Sequence, residues 1–189
     1  MVALKDFEDT GALLTGHFRL SSGLHSDRYL QCARLLMFPD RAESAGRELA
    51  ERLREFAPRV IVSPALGGLI IGHETARALS VPFLFAERQD GAFALRRGFS
   101  LEAGQPVAIV EDVFTTGKST REVIDTVTAA GGRVSAAGSI VDRGLPAGAF
   151  PVPSRSLLSL SVPAWPPEEC PLCRQSVPLD TPGSRHRKA

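Results

Sequence analysis

Val107-Ala-Ile-Val-Glu-Asp-Val-Phe-Thr-Thr-Gly-Lys-Ser-Thr120 is the stretch on which the reading turns. An apolar, β-branched run reads as a buried parallel strand. The strand pattern ends at the acidic pair Glu111-Asp112, and Thr115 to Ser119 form a polar turn. A helix from Ser119 to Ala130 follows, stopped by Gly131-Gly132. Backbone N–H groups of such a turn and the positive end of the helix behind it make an anion cradle. The hydroxyls of Thr115, Thr116 and Ser119 add donors. Two carboxylates beside a phosphate would repel it unless they faced other groups. Sugar hydroxyls suit them, because carboxylates only accept hydrogen bonds. The ligand that fits is a phosphorylated sugar, with its phosphate in the turn and its hydroxyls on the acids. A strand-turn-helix junction with an acidic cap is the plain alternative.

Gly117-Lys118-Ser119 also looks like the end of a P-loop. That loop needs a glycine five positions before its last one, and Asp112 stands there. Its close backbone approach to the phosphates is therefore missing.

Working outward, the same rhythm repeats. Pro39 to Phe56 is an amphipathic helix, with Ala45, Leu49, Leu53 and Phe56 at helical spacing. Arg59 to Ser63 is a short strand, Pro64 to Gly68 a turn, and Leu69 to Leu79 a helix. Val81 to Glu87 is a strand opened by a proline, and Gln89 to Gly98 an exposed basic loop or hairpin. Val134 to Val141 is a strand ending at Asp142-Arg143, and Leu157 to Val162 one edge strand. Alternating strands and helices imply an α/β fold, with a central parallel sheet flanked by helices. Ligands of such sheets bind at the carboxyl ends of the strands, where the polar residues cluster here.

The central segment resembles the phosphoribosyl-pyrophosphate signature of type I phosphoribosyltransferases, through Glu111, Asp112, Thr115, Gly117 and Ser119. Further segments resemble the orotate-specific members. Leu14 to Ser26, with Tyr29-Leu30-Gln31, is similar to their N-terminal hood; a β-hairpin with a glycine turn is the bland reading. Ser63 to Gly72 is similar to their pyrophosphate loop, and a tight strand-to-helix connection is its alternative. Ala86 to Phe99 is similar to their mobile catalytic loop, but lysines and a histidine common there are missing. Arg88, Arg96 and Arg97 could meet pyrophosphate, or could be a solvated hairpin. Val141-Asp-Arg143 matches a strand-end pair whose arginine reads the orotate carboxylate.

The resemblance implies a type I phosphoribosyltransferase fold with three parts: a hood over residues 1–38, a core over 39–163, and a proline-rich basic tail over 164–189. It implies transfer of phosphoribose from 5-phosphoribosyl 1-pyrophosphate to orotate, giving orotidine 5′-monophosphate and pyrophosphate in pyrimidine synthesis. Glu111, Asp112 and Arg88 would be catalytic. The donor would be bound by Ala65, Leu66, Gly67 and Gly68, by Arg88, and by Glu111, Asp112, Val113, Phe114, Thr115, Thr116, Gly117, Lys118 and Ser119. Orotate would meet Thr115, Arg143, Tyr29 and Leu30. Mg²⁺ would ride mainly on substrate oxygens, with no metal held directly by the protein. A homodimer with shared sites would let Arg88 act in trans. Two rivals are a phosphoribosyltransferase for another base and a non-catalytic regulator that senses the donor.

Composition agrees with an enzyme of this kind. The 189 residues favour one domain, at roughly 150 residues per domain. Hydrophobic residues are 43% and the net charge is +1, which favours neither nucleic acid nor membrane. Acids in the first residues and three cysteines suggest neither a secretory signal nor a disulfide scaffold, so a cytoplasmic location is the default. Cys170-Pro-Leu-Cys173 has half of a zinc-ribbon spacing, and the chain has no second cysteine pair. Two subunits could pool four thiolates; a reduced pair in a proline-shaped turn is the simpler reading. His17, His25 and His73 carry no metal assignment, and Cys32 reads as buried packing. The final stretch from Thr181 reads as basic and disordered.

Overall fold

The structure is a computed structural model that describes residues 2–20 and 22–182. The basic stretch Arg185 to Lys188 lies outside the described residues.

Three helices and six strands form the central layers. The sheet order is β5-β4-β3-β6-β7-β8. Its strands are β3 (Val60–Pro64), β4 (Phe83–Gln89), β5 (Ala92–Leu95), β6 (Pro106–Phe114), β7 (Arg133–Asp142) and β8 (Ser154–Ser159). All neighbours are parallel except β4 and β5, which make a hairpin over the segment read as an exposed loop or hairpin. Successive strand residues point to opposite faces. Thus Ile61, Ala108, Val110 and Ile140 join one core, with Leu49 and Leu53 of α3 (Pro39–Leu53) and Ile71 of α4 (Leu69–Leu79). Val60, Val62, Val107 and Ile109 join the other, under Val123, Ile124 and Val127 of α5 (Lys118–Ala129). Burying each such side chain stabilises by about 1.5–3 kcal/mol relative to exposure. This is why parallel strands read as continuous apolar runs.

Several boundaries differ from the sequence reading. β4 starts after Pro82, which has no N–H to donate to the ladder. β6 does not stop at the acids. It continues to Phe114, because Val113 and Phe114 still pair with Val141 and Asp142, and Phe114 packs on Phe150 at 5.0 Å. Glu111 and Asp112 therefore stand within the strand. The edge strand begins three residues early, at Ser154, where its register against Ala137 starts, and ends at Ser159.

The N-terminal region is helix α1 (Leu4–Asp9), hairpin β1 (Leu13–Arg19) and β2 (His25–Leu30), and helix α2 (Ala33–Leu36). β1 and β2 form their own antiparallel sheet, with a register shift between Thr15 and Phe18. The chain after β8 runs back to this hairpin. Trp165 bridges to His25 and Asp180 to Phe18, on either side of the short helix α6 (Pro171–Arg174).

Candidate active site

The chain leaves β3 for β4 on one side and later returns to β6 on the other. β3 and β6 are hydrogen-bonded neighbours. Between them lies the switch point where an open α/β sheet opens a crevice. The loop after β3 (Ala65 to Gly68) and the turn after β6 (Thr115 to Gly117) flank it.

The two loops touch the acid pair. A Cβ on Gly67 would lie 2.9 Å from Asp112 Oδ1, and one on Gly68 2.8 Å from the Val110 carbonyl. Only glycines let this loop cross so close to β6. Leu66 points outward, 82% exposed, and the Ala65–Leu66 peptide is cis. Gly117 takes φ +73° at the start of α5, which lets the turn fold back over the strand end. Around it a cavity of about 60 Å³ is lined by Glu111, Val113 and every residue from Thr115 to Thr120. Phosphate-sized space, backbone donors and a helix N-terminus meet there.

Glu111 is 8% exposed. Burial, then the neighbouring Asp112, pushes its carboxyl well above the usual carboxylate range. The Asp112 N–H donates to Glu111 Oε1 at 3.1 Å, and the Val113 N–H to Asp112 Oδ1 at 2.8 Å. These bonds hold both carboxyls against the strand.

A second cavity of about 250 Å³ adjoins the first, sharing Thr115 and Thr116. Arg143, Gly144, Pro146, Val162 and Ala164 complete it. Asp142 Oδ1 accepts from the N–H groups of Gly144 (2.8 Å) and Leu145 (2.7 Å), a tight turn that fixes the bend holding Arg143. The Arg143 N–H donates to the Phe114 carbonyl at 2.9 Å, locking this bend to the end of β6. Its Nε is buried with no hydrogen-bond partner among the described residues. Burial lowers its pKa from the ordinary guanidinium value. A buried, unpaired donor on a cation calls for an anion.

The predicted residues divide accordingly. Glu111, Asp112, the 115–119 turn, the 65–68 loop and Arg143 come together. Phe114 is buried beneath them as packing. Tyr29 lies on β2 against Phe18, at 5.8 Å between rings, and Leu30 is buried in the core. The basic hairpin stands apart. Arg88 sits over the Phe93 ring at 4.2 Å and donates to Glu122 of α5 (2.5 Å) and the Gly91 carbonyl (2.6 Å). Arg97 is paired with Glu87 through two bonds of 2.8 and 2.9 Å, and Arg96 is exposed. None of the three lines either cavity. Val162 and Ala164 are not assigned to the site from the sequence, and Asp142 enters there only as half of the strand-end pair. Its turn role could have been read, since Asp followed by Arg-Gly is a turn signal. The two small apolar residues carried none.

No family model matches the chain. Curated relatives do. The orotate phosphoribosyltransferase of Pelotomaculum thermopropionicum is 51% identical over 179 residues, covering 95% of this chain and 94% of that protein. That of Thermotoga maritima is 50% identical over 181 residues, covering 96% and 97%. Among solved structures, the orotate phosphoribosyltransferase of Aeropyrum pernix superposes with a TM-score of 0.68 at 29% identity, covering 82% of this chain and 92% of that one. A Mycobacterium tuberculosis orotate phosphoribosyltransferase in complex with 5-phospho-α-D-ribosyl 1-diphosphate gives 0.62 at 27% identity, covering 77% and 89%. With half its residues identical to these relatives over nearly their whole length, the chain belongs to the orotate phosphoribosyltransferase family.

Proposed function

We propose that the crevice transfers phosphoribose from 5-phosphoribosyl 1-pyrophosphate to orotate. The observation that carries the reading is the unpaired, buried Nε of Arg143, beside a cavity that shares Thr115 and Thr116 with the phosphate-sized cradle. An anionic base and a sugar phosphate would thus lie side by side.

The 115–119 turn takes the 5′-phosphate. Glu111 and Asp112 accept from the ribose hydroxyls. Leu66 and Gly67 offer backbone N–H groups to pyrophosphate, those of Ala65 and Gly68 being taken by the Ala86 and Pro64 carbonyls. Arg143 meets the orotate carboxylate with Tyr29 on the hood side, while Leu30 stays in the core. Holding both reactants in line removes much of the entropic barrier. Displacement at the anomeric carbon develops positive charge there, which the adjacent acids favour. Asp112 beneath the Gly67 loop is a single half-buried carboxylate. Such a donor set fits Mg²⁺, which keeps most of its ligands as water and substrate oxygens. The ion would ride mainly on substrate oxygens with Asp112 beside it, and would neutralise pyrophosphate charge. Arg88 reaches the leaving pyrophosphate when its hairpin leaves Glu122, in the neighbouring subunit's site of a homodimer. Met37, 64% exposed, and Leu66 are apolar surface that a second copy would cover. No helix among the described residues is long and apolar enough to cross a membrane.

The test is orotate loss by absorbance with donor and Mg²⁺, with adenine, guanine, hypoxanthine, xanthine and uracil in parallel. Orotate consumption that needs both donor and metal is expected. Asp112→Asn should lower turnover by about 10²–10³-fold. Turnover with another base alone would overturn the role of Arg143. Donor binding without turnover of any base would point to a sensor.

A further inference from the structure

The histidines of the hood and the cysteines of the tail, read separately from the sequence, meet in space. His17 is on β1, His25 opens β2, and Cys170 and Cys173 bracket the first turn of α6. One ligand atom from each lies within 4.8 Å of all the others. His17 Nε2 is 3.0 Å from His25 Nδ1, 3.5 Å from Cys170 Sγ and 3.7 Å from Cys173 Sγ. His25 Nδ1 is 3.2 Å from Cys173 Sγ. Tetrahedral Zn²⁺, with bonds of about 2.3 Å to sulfur and 2.0–2.1 Å to nitrogen, sets its ligands about 3.3–3.8 Å apart. The four close edges, 3.0–3.7 Å, run from slightly below that range to within it.

Other details point the same way. His17 Nδ1 is 2.8 Å from the Val177 carbonyl and must donate to it, which turns the Nε2 lone pair toward the cluster. Such an outer hydrogen bond is the usual support of a metal-bound histidine. Both cysteines are free thiols. His17, His25 and Cys170 are buried, so in the absence of a metal the facing ligand atoms of these three would be enclosed with only one another and the Cys173 thiol for company. Backbone bonds already align the two segments: His25 and Trp165 exchange two of 2.8 Å, and the Asp180 N–H donates to His17 O at 2.8 Å.

We propose that His17 Nε2, His25 Nδ1, Cys170 Sγ and Cys173 Sγ bind one Zn²⁺ in a closed, four-ligand structural site within a single chain. Two thiols lose their protons to solvent as the ion binds. Two sulfurs and two imidazoles suit zinc rather than the hard Mg²⁺ of the catalytic crevice. The ion clips the tail to the hood. It therefore steadies Val162 and Ala164, which wall the Arg143 cavity just before Trp165. This replaces the idea of four thiolates pooled by two subunits, since the histidines complete the set in cis. It stands independently of which base the enzyme uses.

The experiment is metal analysis of the purified, reduced full-length protein, followed by exchange for Co²⁺. One zinc per chain is expected, with ligand-field bands of tetrahedral Co²⁺ and thiolate charge-transfer absorption after exchange. Cys173→Ser, at the one exposed ligand, should lower the charge-transfer intensity to that of the single remaining thiolate and weaken retention by at least about 10-fold. Removing zinc with a chelator should lower the melting temperature of the parent protein by more than that of the variant. No zinc in the protein as purified and none taken up by the reduced protein would overturn the proposal, whatever the variant does. So would one zinc per two chains, or a Cys170–Cys173 disulfide in protein purified without reductant.

Discussion

Glu111 holds its proton more tightly in the folded chain than in the unfolded one, because burial and Asp112 both disfavour its charge. Such a group favours folding while protonated. Its contribution is lost as pH rises from the unfolded value, near 4.5, through the higher folded one. Glu111→Gln removes that loss. Its melting temperature should exceed the parent's at about pH 8 and converge with it near about pH 4, while turnover falls. Calorimetry across that range reads both ends, and a lower melting temperature at alkaline pH would contradict the burial argument. Arg143 makes a complementary prediction. Truncating a cation bonded to a carboxylate costs about 1.5–3 kcal/mol. Arg143→Ala should therefore raise the KM for orotate about 10–100-fold while leaving that for the ribosyl donor nearly unchanged. Equal effects on both substrates would remove the arginine from the base pocket. At this scale the residues that gather at the crevice were legible in the sequence, because the pairs Glu111-Asp112 and Asp142-Arg143 each follow an apolar run. What could not be read was which carboxyl is buried, since neighbours along a strand face opposite layers whose cover comes from distant helices.

The element proposed to hold the 5′-phosphate is the β6–α5 junction. Gly117 takes φ +73°, and a Cβ there would lie 2.7 Å from Phe150 and 2.9 Å from Leu145. Gly117→Ala thus combines a left-handed backbone with a clash against the buried Phe150 ring and Leu145. It should destabilise by about 1–3 kcal/mol, at about 2–4 °C of melting temperature per kcal/mol for a chain of this size. Donor affinity should fall with it, by calorimetry, because the turn can relieve the clash only by leaving the cradle. Unchanged donor binding would mean the turn does not hold phosphate. Helix α4 was read to the residue from its Gly68 start and Leu79 end, where the local signals are strong. β6 was cut short because an acidic pair looks like a strand end. Only the pairing of Val113 and Phe114 with β7, more than twenty residues on, carries the strand past it.

Across the whole molecule, legibility falls with sequence separation. Cys173 Sγ and His25 Nδ1 are 3.2 Å apart yet 148 residues apart in the chain. No local pattern says that the tail returns to the hood. The basic hairpin raises the same difficulty between chains. Arg88 is held by Glu122 and Phe93 of its own chain, away from both cavities, while the proposed function needs it at a pyrophosphate. A site shared between two copies resolves this, and mixing subunits tests it. Arg88→Ala and Asp112→Asn should each be nearly inactive alone. In a heterodimer with trans action, one site pairs an intact Asp112 with the partner's intact arginine, while the other carries both defects. Random re-pairing makes about half the dimers heterodimers, so activity should recover to roughly a quarter of the parent's. If Arg88 serves its own chain, every site keeps one defect and mixing restores nothing. The arginine would then have to leave Glu122 and reach the crevice across its own α5, and Glu122→Gln, by freeing it, should alter turnover even in dilute, monomeric protein.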